Sequence, residues 1–146
     1  MPAGLVAVSR VLRALGHREI RLKLHPGYGR AYYQAVSDQF GLGLEIVEAG
    51  LVPDHLAWAD LVVGPVESGA MVEAWAIGRP YLPLIPRPHA IDLGVLGPLP
   101  VLHDAEDLRR MLVERPPLDR AAIVEHFCAG GLEPGRASTR FWERVA

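Results

Sequence analysis

The stretch Leu61-Val62-Val63-Gly64-Pro65-Val66-Glu67-Ser68-Gly69-Ala70-Met71-Val72-Glu73-Ala74-Trp75-Ala76-Ile77-Gly78-Arg79-Pro80 decides how this chain is read. Leu61 to Val63 is short, continuous and β-branched, the pattern of a parallel strand covered on both faces. Gly64 to Gly69 breaks that run, and a helix is expected from Ala70 to Ile77, closed by Gly78. A strand that turns into a helix leaves free N–H groups and partial positive charge at the helix start, where an anion is stabilised. Ser68 sits at that point, and its hydroxyl can either cap the helix or donate to a ligand oxygen. Gly69 permits close backbone approach. Glu73 follows Ser68 by five residues, or about 7.5 Å along a helix axis. A carboxylate there can accept hydrogen bonds from both hydroxyls of a ribose whose phosphate rests at the helix start, the logic of the acidic ribose ligand in other nucleotide-binding sheets. Plainer roles suit the same residues: Ser68 as a cap only, Glu73 as an exposed helix carboxylate. Glu67 is awkward beside a phosphate and is expected to face solvent or to orient an acceptor or a cation.

Helices and short apolar strands alternate on both sides of this segment. Leu5, Val8, Val11, Leu12 and Leu15 recur at helical spacing before Gly16. Glu19 to Leu24 alternates charged residues with Ile20, Leu22 and Leu24, as a strand ending at His25-Pro26-Gly27 would. A helix over Arg30 to Phe40, a strand over Leu44 to Val47 and a brief helix from Pro53 to Trp58 come next. Beyond the opening segment, Tyr81 to Ile85 is a strand in which Pro83 marks an edge or an early end. Pro86 to Pro100 is expected to be a loop, Val101-Leu102 a last short strand, and Asp104 the cap of a helix through Val113, with Asp107 as its capping-box partner. Two further helices are expected around Arg120 to Phe127 and Ala137 to Val145. The alternation predicts an α/β fold: one Rossmann-like parallel sheet with helices on both faces, formed by residues 1–146 as a single domain. Ligands of such sheets bind at the carboxyl ends of the strands, which brings forward the loops after Leu24 and Val63. In the first of these, His25 can donate to a phosphate oxygen while Pro26 and Gly27 fix the turn, or it can simply satisfy a backbone carbonyl. Lys23 points to the opposite face.

Composition narrows the function classes. The chain has 146 residues, half of them apolar and 22% charged, enough for a packed core. A formal net charge of −2 gives no general attraction to nucleic acid or anionic membrane, so any anion site must be local. Arg10 and Arg13 interrupt the N-terminal apolar run, which then suits neither a signal peptide nor a membrane span. A cytoplasmic protein is expected. Cys128 is the only cysteine and is expected to be a small apolar residue near a helix end. The six histidines show no paired metal spacing, and neither metal nor cofactor is expected; His89, in the Pro-rich loop, is the one besides His25 that merits a test. Trp58, Trp75 and Trp142 occupy helical positions and suit core or interface.

Glu73-Ala74-x-Ala76-x-Gly78-x-Pro80 resembles the signature segment of the C-terminal, donor-binding domain of GT-B glycosyltransferases. His25-Pro26 after a strand is similar to the phosphate-binding His-Pro of capsule-polysaccharide and CDP-glycerol glycerophosphotransferase relatives, and Gly135-Arg136-Ala137-Ser138-x-Arg140 is similar to a closing segment of capsule-type members. The resemblance implies a nucleotide-sugar donor with His25 and Ser68 on its phosphates, a backbone donor from Gly69 and Glu73 on its ribose. It further implies that leaving-group charge is stabilised by helix dipole and hydrogen bonds rather than by a protein-bound metal. Three features depart from the family: the chain opens on a helix instead of a strand and glycine-rich loop, it carries no N-terminal acceptor domain, and Glu67 stands where capsule-type relatives often have a first Ser. The expectation is therefore a donor-binding half that is incomplete alone, that works with an acceptor-domain partner or as a homodimer, or that binds without catalysis. Two alternatives stay open. In an epimerase-like domain of the same fold Glu67 would be catalytic; Glu67 and His25 are the only candidates for a catalytic role in any reading. In a non-catalytic partner subunit, an apolar face at Leu5, Val8 and Leu12 would dock another chain.

Overall fold

The computed structural model describes residues 2–128; the expected last helix, Trp142 and the 135–140 segment lie outside them. The described chain is α/β and falls into two compact units, Met1–Leu51 with Leu102–Pro116, and Val52–Val101 with the stretch from Pro117 on.

The first unit holds α1 (Pro2–Ala14), β1 (Arg21–Lys23), α2 (Arg30–Gln39), β2 (Glu45–Val47) and α5 (Ala105–Glu114). β1 and β2 are parallel, with Leu22 opposite Ile46. The ladder continues one residue past each end of β1, through Glu45 N–H to the Ile20 carbonyl and Leu24 N–H to the Val47 carbonyl. Arg21 faces Glu45 in that register and their side chains form an ion pair of 2.9 Å. Val6, Leu24, Val36, Leu42, Leu44 and Ile46 make the core, and Leu5 packs against it. The apolar stripe of α1 is thus spent inside its own unit: Leu5, Val8 and Leu12 are half-buried and α1 packs against α2 and α5. Arg13, which interrupts that stripe in the sequence, has a structural task. Its guanidinium donates to the carbonyls of Leu42 (3.1 Å), Gly43 (2.8 Å) and Arg18, tying the end of α1 to the turn after α2. The cap of α5 forms as expected: the Asp104 carboxylate accepts the Asp107 N–H at 2.9 Å, and Asp107 reaches back to the His103 N–H at 2.9 Å.

The second unit holds α3 (Val52–Trp58), β3 (Val62–Gly64), α4 (Ala70–Ala76), β4 (Tyr81–Pro83), a 3-10 turn (Leu93–Leu96) inside the Pro-rich loop, and α6 (Arg120–Cys128). β3 and β4 are also parallel, Val62 opposite Tyr81 and Gly64 opposite Pro83. Val62 N–H donates to the Pro80 carbonyl and Leu84 N–H to the Gly64 carbonyl, so the even-numbered residues of this strand face β3. Pro83, which has no N–H, therefore costs this ladder nothing. β4 is buried along its whole length and β3 only half-buried, the reverse of what the continuous Leu61-Val62-Val63 run predicts. Tyr81 of β4 joins Leu56, Met71, Ala74, Trp75, Ile123 and Val124 in one core, with Cys128 packed against it. The Trp75 indole lies there with 4% exposure and donates to the Tyr81 carbonyl at 3.2 Å; burying a ring of that size contributes of order 5 kcal/mol by area. Trp58, in contrast, is exposed on α3. α4 stops at Gly78 (φ +80), and Arg120 from α6 caps the freed carbonyls of Trp75 (2.9 Å) and Ala76 (2.6 Å).

The parallel pairing and the βαβ order agree with the sequence pattern. Among the described residues four strands form two pairs, β1–β2 and β3–β4, where the sequence pattern predicts one sheet, and the strand expected at Val101-Leu102 is reduced to a single bridge residue, Leu102. Among the described residues no helix is long and apolar enough to cross a membrane.

Candidate functional site

The turn from β3 into α4 is fixed by a side chain that arrives from β4. Tyr81, 2% exposed, donates its hydroxyl proton to the Pro65 carbonyl at 2.8 Å. The phenol runs so close beneath the corner that a Cβ on Gly64 would lie 2.3 Å from its oxygen and 3.0 Å from Cζ. Only glycine leaves that space. Burial pushes the Tyr81 phenol up to about 12; a hydrogen bond with the Ser68 side chain pulls the other way, and the Glu67 carboxylate adds to the rise.

Ser68 is half-buried at the mouth of α4. Its carbonyl accepts the Met71 N–H at 3.0 Å and its Oγ accepts the Ala70 N–H at 3.3 Å, so its side chain closes the turn just before Gly69, the N-cap of α4. Gly69 has an ordinary right-handed conformation (φ −57, ψ −27) and is exposed, and a Cβ built on it would meet no atom within 4 Å. The fold itself does not demand glycine there, and the space before it is open. Glu67 is exposed on the same turn. Glu73 is exposed on the first turn of α4, whose opposite face carries the buried Met71, Ala74 and Trp75.

His25 lies in the first unit, exposed just past β1. Its Nδ1 accepts the Gly27 N–H at 3.3 Å, which places the proton of the neutral ring on Nε2 and leaves that nitrogen a donor. Tyr28 stands edge-on to the ring at 6.0 Å, followed by Tyr33 at 6.1 Å from Tyr28. Lys23 is committed elsewhere: its ammonium donates to the carbonyls of Glu48 (2.8 Å) and Leu24 (3.2 Å), joining the ends of β1 and β2. His89 is half-buried in the Pro-rich loop. No group of three His, Cys, Asp or Glu side chains among the described residues is arranged to hold a metal ion.

The structure thus gathers Glu67, Ser68 and Gly69 on one turn and sets Glu73 on the helix which that turn begins, while His25 belongs to the other unit. Sequence reasoning missed Tyr81. The available signal was a tyrosine in a strand otherwise apolar, since a buried phenol needs a partner for its hydroxyl. No family model matches the chain, and no curated protein or solved structure is significantly similar to it.

Proposed function

We propose that this chain binds the donor nucleotide of a glycosyl or glycerophosphoryl transfer, and that the β3–α4 turn is where the phosphate and ribose are held. The observation that carries the reading is the conjunction at this turn: the Ser68 hydroxyl at its closing bond to the Ala70 N–H, open space over Gly69, and the exposed Glu73 carboxylate on the helix that follows. Phosphate oxygens would accept from Ser68 and the adjoining amides, and Glu73 would accept from the ribose hydroxyls. The fold it requires is a Rossmann-like domain, and its acceptor would come from a partner domain or subunit. The function rests on the resemblance of Glu73-Ala74-x-Ala76-x-Gly78-x-Pro80 to GT-B donor domains, together with the chemistry of these side chains.

Calorimetric titration with uridine and cytidine diphosphate sugars tests it. Glu73→Ala is expected to weaken binding more than tenfold, because the paired ribose hydrogen bonds to a carboxylate contribute about 1.5–3 kcal/mol. Binding by the parent chain that is unchanged in Glu73→Ala removes the ribose assignment. Absence of binding to any such nucleotide removes the function.

A further inference from the structure

We draw no further inference here: the strongest candidate, the row of rings on the turn from β1 into α2, where Tyr28 and Tyr32 stand exposed beside His25 and Tyr33, carries nothing because nothing in the structure shows what covers it.

Discussion

Gly64→Ala perturbs the turn at its narrowest point, and its cost can be worked from two distances. The added methyl would lie 2.3 Å from Tyr81 Oη and 3.0 Å from Cζ, so the ring has to withdraw by roughly 1 Å before ordinary van der Waals contact is restored. It has little freedom to do so. Tyr81 is 2% exposed, its carbonyl is held by the Trp75 indole, and its strand is laddered to β3 from the Pro80 carbonyl to the Leu84 N–H. Overpacking of this kind costs about 1–3 kcal/mol. Withdrawal also breaks the bond to Pro65, a further loss of about 1 kcal/mol. A Gly→Ala change without a clash would instead stabilise by about 0.4–1 kcal/mol through the unfolded chain, so the sign of the result is informative. The expected net loss is about 2–3 kcal/mol, read from urea unfolding followed by tryptophan fluorescence. Removing the offending oxygen should relieve much of it. Gly64→Ala combined with Tyr81→Phe is expected to fall short of the summed single losses by about 1 kcal/mol or more. A Gly64→Ala protein as stable as the parent, or strict additivity in the pair, refutes the packing described for this corner.

Two other expectations concern single groups. Ser9, in α1, is 1% exposed and its hydroxyl has no hydrogen-bond partner among the described residues, so Ser9→Ala should raise stability by about 1 kcal/mol in the same unfolding assay, from relieved desolvation and better helix propensity; a loss would mean that the hydroxyl is satisfied. The Tyr81 phenol is held protonated beyond its ordinary value of 10.0, up to about 12, so its contribution to stability is complete below pH 10 and is lost as pH rises from 10 toward 12. Unfolding midpoints across that window should fall more steeply in the parent than in Tyr81→Phe, and parallel curves would contradict the burial of the phenol.

What the sequence disclosed and what it concealed divide along the range of the interactions. The capping box of Asp104 and Asp107, the stop at Gly78 and the helix over Arg30 to Phe40 depend on residues within a few positions of each other, and all were legible. Strand pairing was not, because alternation of apolar residues states that a segment is a strand and says nothing about its neighbour. Five expected strands therefore suggested one sheet where the described residues form two pairs from four of them. Burial was misjudged for the same reason. β3 has the continuous apolar run, yet β4 is the more deeply covered strand, since Tyr81 and Leu82 are enclosed by packing that only the tertiary fold creates.

The same distinction bears on Ser68. From sequence, capping and ligand binding looked like rival explanations of one hydroxyl. The hydrogen bonds show which part of it the turn uses: a lone pair of Oγ accepts the Ala70 N–H, and the hydroxyl proton is not spent in that bond. A serine so arranged closes its turn in either case. Substitution of Ser68 alone would remove both functions together and could not tell them apart.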